Sequence, residues 1–78
     1  MTKKLEIDYG PLRGRIKQIL GSEAAYGDAI GLSAAAVSKR LNNRVCFTTA
    51  EVIASAKVLG ITYAEIPRYF LTRKLSSS

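Results

Sequence analysis

Seventy-eight residues leave room for one small domain and one core. With 47% hydrophobic and 23% charged residues the composition is that of an ordinary globular chain, and no apolar run approaches the roughly 20 residues that span a bilayer. Twelve Lys and Arg against six Asp and Glu give +6, which points to a polyanionic partner, while the absence of His and the single Cys46 exclude His-based triads and Cys/His zinc sites.

The first eight residues read as a basic arm carrying Lys3 and Lys4, in which Leu5 and Ile7 alternate with polar residues as in a short extended segment. Pro11 suits the first turn of a helix. Leu12, Ile16, Ile19 and Leu20 form its apolar stripe, and Gly21 ends it. Ser22 then caps a second helix running to Ile30, with Tyr26 and Ile30 one turn apart. Gly31 stops it, and Ser33 caps a third helix that ends at Asn42 and Asn43. Asn accepts left-handed backbone better than most residues.

Thr48 and Glu51 form a T-x-x-E capping box before a fourth helix, whose apolar positions are Val52, Ile53, Ala56 and Leu59 and whose end is Gly60. Thr62 and Glu65 repeat the box before a last short segment containing Pro67, Tyr69 and Phe70. The expectation is an all-α bundle of about five short helices in one domain over residues 1–78. Its ordered core spans about 9–71, after the arm at 1–8 and before a Ser-rich tail at 72–78 that frays from Arg73 onward.

Leu12, Ile16, Tyr26, Ile30, Val37, Leu41, Val52, Ile53 and Leu59 are the expected core, and Cys46 beside Phe47 is expected to be a buried thiol. Arg13, Arg15 and Lys17 are expected on a solvated face of the first helix. Tyr63, Tyr69, Phe70 and Leu71 are too many for one short terminal helix to hide, so Tyr69, Phe70 and Leu71 are the expected protein interface, with packing onto the first helix as the alternative.

No carboxylate pair or Gly-rich phosphate loop is present, so no enzymatic activity, cofactor or small-molecule substrate is expected. Residues 29–50 contain no Asp or Glu but include Lys39, Arg40 and Arg44, as a surface approaching phosphates would. The second and third helices, joined only by Gly31 and Leu32, suit a helix-turn-helix, whose second helix enters the major groove of DNA. Gly27 is placed for a close crossing of the two. Gly27→Ala is harmless, or stabilising by up to about 1 kcal/mol, only if a methyl group fits there.

The run SEAAYGDAIGLSAAAVSKRLNN at residues 22–43 resembles the helix-turn-helix of lambda-type phage repressors and Cro proteins, through Gly27, Ile30, the turn Gly31-Leu32-Ser33, Val37, Leu41 and Asn42. LGIT at 59–62 resembles that family's entry to its fifth helix. YGPLRGRIK at 9–17, RLNN at 40–43 and IPRYF at 66–70 resemble a group of small Cro-like or repressor-modulating phage regulators, so that the likeness covers about residues 9–71. It implies a lambda-repressor-like domain in the cytoplasm of a bacterial host, binding operator DNA by occupancy, with a homodimer reading a two-fold site.

The same resemblance implies an alternative, since some of the group bind the phage repressor protein itself. The expected DNA-facing residues are Ser33, Ala34, Ala35, Ser38, Lys39, Arg40, Asn42, Asn43 and Arg44, with Lys39 on a base and Arg40, Asn42, Asn43 and Arg44 toward phosphates. Two departures from the family are plain. Glu23 stands where members often carry Gln toward a phosphate, and Ala34 and Ala35 stand where repressors place base-reading side chains. Alanine can touch a thymine methyl but cannot make bidentate hydrogen bonds.

Overall fold

The computed structural model describes residues 6–74. Five α-helices follow in order: α1 Gly10–Leu20, α2 Glu23–Ile30, α3 Ala34–Leu41, α4 Thr49–Leu59 and α5 Ile66–Phe70, with a 3-10 turn Tyr63–Glu65 leading into α5. They form the all-α bundle expected from the sequence. The boundaries follow the local chemistry. The Ser22, Ser33 and Thr48 side chains accept hydrogen bonds from the backbone N–H of Ala25, Ala36 and Glu51, and the Thr48–Glu51 box is closed in both directions, while in the second the Thr62 N–H and hydroxyl both donate to Glu65 Oε1. Pro11 and Pro67 lie in first turns, where an N–H is not needed.

The core gathers residues from every helix: Leu12 and Ile16 of α1, Tyr26 of α2, Val37 and Leu41 of α3, Ala56 and Leu59 of α4, Tyr69 and Phe70 of α5. Ile30 and Val52 pack at its margin. One expected core residue and one residue of the expected α1 stripe are on the outside. Ile53 lies about 100° around α4 from the Val52–Ser55–Ala56–Leu59 face and is exposed, and Ile19 sits on the flank of the α1 stripe, one turn beyond Arg15, and is exposed as well. Cys46 is also exposed, contrary to the expected buried thiol, because Phe47 rather than Cys46 turns inward against Tyr9 and Phe70.

One buried polar contact ties α2 to α4. The Tyr26 hydroxyl lies 2.6 Å from Ser55 Oγ, which donates to the Glu51 carbonyl at 2.7 Å. Burial pushes the Tyr26 phenol up to about 12, partly opposed by the Ser55 hydrogen bond. The extended arm is present at Ile7, but the tail is not frayed at Arg73. Ile7 and Arg73 form an antiparallel bridge, with Asp8 N–H donating to Thr72 O at 2.7 Å and Lys74 N–H to Glu6 O at 3.0 Å. The expectations for Lys3, Lys4, Leu5 and residues 75–78 lie outside the described residues.

Candidate functional site

The α2–α3 pair is built on a very short joint. Gly31 adopts φ 77°, which ends α2, and Ser33 begins the cap of α3 two residues later. The joint folds back onto α2, with Leu32 N–H donating to Gly27 O at 2.8 Å. A Cβ on Gly27 would lie 2.6 Å from the Leu32 carbonyl oxygen and 3.1 Å from Val37 Cγ2. There is no room for a methyl group, and the absence of a side chain at Gly27 is what lets the joint and α3 approach α2.

α3 turns Val37 and Leu41 inward and leaves Ala34, Ala35, Ser38, Lys39 and Asn42 exposed, with Arg44 exposed just beyond its end. With the exposed Ser33 at the start of α3, seven of the nine candidate residues are therefore gathered on one outward surface. Within it, Asn42 Nδ2 donates to Ser38 O at 2.9 Å and to Ser38 Oγ at 3.2 Å, and the exposed Ser33 hydroxyl is engaged in capping.

Two candidates are drawn away into the fold. Arg40 does not face phosphates: its Nε donates to Glu51 Oε1 at 2.8 Å, its Nη2 to Glu51 Oε2 at 3.1 Å and its Nη1 to Ala36 O at 3.0 Å. Both side chains of this pair are only 14% exposed. The physical reason is that α3 brings Arg40 beside the first turn of α4, where Glu51 already serves the capping box. Asn43 takes φ 63° and points its amide at Ile7, accepting from Ile7 N–H at 2.8 Å and donating to Ile7 O at 3.0 Å. Of the three cations in the acid-free window, Lys39 and Arg44 remain directed to solvent.

Arg13 and Arg15 are not merely solvated, as the sequence suggested. Arg13 Nη1 donates to Glu23 Oε2 at 2.6 Å while its Nη2 reaches Leu41 O and Asn42 Oδ1, each at 3.4 Å. Arg15 donates to the carbonyls of Leu59 and Gly60 at 3.0 and 3.3 Å, completing the C-terminus of α4. Glu23 thus has a local cationic partner at the start of α2. The proposed interface also divides. Tyr69 and Phe70 belong to the core at 8% and 5% exposure, where Phe70 meets the edge of Phe47 at 5.2 Å between centroids, whereas Leu71 and Tyr63 stand out at 62% and 73%.

The family described as "Protein of unknown function (DUF739)" matches residues 5–73, nearly the whole of this fold. The chain belongs to the DUF739 family. Among solved structures, this DUF739 chain is similar to the solution structure of the modulator of repression (MOR) of the temperate bacteriophage TP901-1 from Lactococcus lactis. The two are 33% identical, the match covers 90% of this chain and 95% of that one, and the TM-score is 0.76. No curated protein matches. Of the two kinds of phage regulator that the sequence resembles, Cro-like and repressor-modulating, the likeness found is to the second. No helix among the described residues is long and apolar enough to cross a membrane.

The Arg40–Glu51 pair links the candidate surface of the DUF739 chain to its stability. The Arg40 hydrogen bond is the main reason that the Glu51 carboxyl is held below its ordinary value, with the Thr48 N–H contributing in the same direction. Arg40→Ala is expected to cost about 2 kcal/mol, between the 0–1 of an exposed pair and the 3–5 of a fully buried one. The folded-state value is lowered, so this stabilisation is present above the unfolded glutamate pKa of about 4.3 and is lost as pH falls through the folded value. Urea denaturation over a pH series checks both parts: the variant is weaker at neutral pH and loses less on acidification than the parent.

Proposed function

We propose that this protein is a phage modulator of repression that acts by binding the repressor protein of its own phage in the host cytoplasm. The observation that carries this reading is the match to the TP901-1 modulator over nearly all of both chains. The candidate surface supports it. With Ala34 and Ala35 at the opening of α3 and Arg40 held by Glu51, that surface is poor in groups that discriminate bases and keeps two solvent-facing cations. Exposed Val45, Tyr63 and Leu71 provide apolar area for a protein partner. In this reading the protein performs no reaction and needs no cofactor.

A second reading, direct operator binding, is favoured by one observation: Lys39 and Arg44 are both exposed at the end of α3. In that reading α2 and α3 are a helix-turn-helix, and a dimer would place two α3 helices about 34 Å apart on a two-fold site.

The deciding experiment titrates fluorescent operator DNA from the source phage with this protein, with the repressor, and with both, while native mass spectrometry follows the protein mixture. The modulator reading expects a complex of the two proteins and an altered affinity of the repressor for its operator. It is wrong if no complex forms at tens of micromolar and the repressor titration is unmoved. Operator binding by this protein alone, with log K falling against log[salt] at a slope of about −3.6 for about four phosphates, would establish the second reading instead. Lys39→Ala would then relax preference at one base pair by about 1–3 kcal/mol, and Arg44→Ala would weaken all sequences alike.

A further inference from the structure

We propose that the Asn43 side-chain amide is a clamp that makes residues 6–8, residues 72–74 and the loop after α3 one cooperative unit. Asn43 is the only non-glycine residue at positive φ among the described residues. A glycine would take that backbone conformation with less strain and would end α3 equally well, so helix termination alone does not call for an amide. What the amide adds is a pair of hydrogen bonds to a single residue. It accepts from Ile7 N–H and donates to Ile7 C=O, as the backbone of a neighbouring strand would.

The other edge of the same segment is held by residues 72–74. The hydrogen bonds Asp8 N–H to Thr72 O and Lys74 N–H to Glu6 O bracket the Ile7–Arg73 pair, which leaves the two polar groups of Ile7 facing Asn43. Thr72 Oγ1 in turn donates to Arg68 O at 2.8 Å and fastens residues 72–74 to the end of α5. So short a pairing is marginal by itself, and each edge depends on the other being made. Arg44 follows Asn43 directly on the candidate surface, so a partner that engages this loop is reciprocally linked to the pairing of residues 6–8 with 72–74, whether that partner is a repressor or DNA.

Amide hydrogen exchange by NMR on the full chain tests the clamp. Asn43→Gly keeps the left-handed backbone and removes the amide. The Asp8 and Lys74 amides are expected to exchange about thirtyfold faster, the loss that two hydrogen bonds of ordinary net strength imply, while slow amides inside α1 and α4 keep their rates. Asn43→Asp retains the acceptor and loses the donor, and is expected to fall between the two. Lys74→Pro removes the donor to Glu6 from the opposite edge and is expected to speed exchange of the Asn43 side-chain NH2. The proposal is overturned if Asp8 and Lys74 exchange at parental rates in Asn43→Gly, which would make Asn43 a helix terminator only. A uniform acceleration that includes α1 and α4 would overturn it as well, since the clamp would then serve global stability rather than a local unit.

Discussion

Phe70→Ala is expected to destabilise the domain by about 3–5 kcal/mol, the range for truncating a buried aromatic side chain. Phe70 is 5% exposed and closes an aromatic row in which Phe47 lies between it and Tyr9, with edge-on contacts at 5.2 and 5.5 Å. A domain of this length has on the order of 4–12 kcal/mol in total, so the variant is expected to melt far earlier or to be largely unfolded. Leu71→Ala, one residue away and 62% exposed, is expected to change stability by no more than about 0.5 kcal/mol. Urea midpoints for the two variants measured side by side check this contrast. Equal small effects would mean that α5 is a loosely docked lid and that Phe70 is available to a partner after all. The contrast also determines how an interface is to be sought: loss of repressor binding in Phe70→Ala reports loss of the fold, whereas the same loss in Leu71→Ala or Tyr63→Ala reports a surface.

Gly27→Leu is expected to abolish the native α2–α3 arrangement, and Gly27→Ala to destabilise it by up to about 2 kcal/mol. Alanine gains about 1 kcal/mol of helix propensity over glycine. Against that, its methyl group would stand 2.6 Å from the Leu32 carbonyl oxygen, a backbone atom of the joint that cannot swing aside as a side-chain tip can. Overpacking of this kind typically costs about 1–3 kcal/mol even for small groups, and Val37 Cγ2 at 3.1 Å closes the other exit. Thermal melts of the two variants, with Ala below the parent and Leu below Ala, are the expected result. A more stable alanine variant would show that the joint shifts easily, and that the close approach at Gly27 is not needed to set α3 against α2.

The candidate site was legible in the sequence as a place but not as a set of residues. The capped α2, the glycine at φ 77°, the Ser33 cap and the inward Val37 and Leu41 all follow from short-range patterns, and they direct Lys39, Ser38 and the alanines outward. Arg40 and Asn43 read equally well as phosphate contacts, because type and position within α3 are all that the sequence offers there. What removed them from the surface is Glu51, eleven residues on, and Ile7, thirty-six residues back. The T-x-x-E box was a partial signal for Glu51, since it anchors that carboxylate at the first turn of α4, but nothing local says which helix passes beside it.

By itself the sequence determined the helices, their ends and the inward positions of α2 and α3. These depend on hydrogen bonds and side-chain spacings within three or four residues, and caps such as Ser22, Ser33 and Thr48 act over that distance whatever the rest of the chain does. Only the tertiary structure decided which charges are spent and which aromatics are hidden. Arg15 at the end of α4, Arg13 on Glu23, Tyr26 on Ser55 and the Ile7–Arg73 bridge join residues ten to more than sixty positions apart. Whether such side chains meet depends on how five helices pack, and a long cation or an exposed-looking aromatic carries no mark in the sequence of the partner that packing will bring to it.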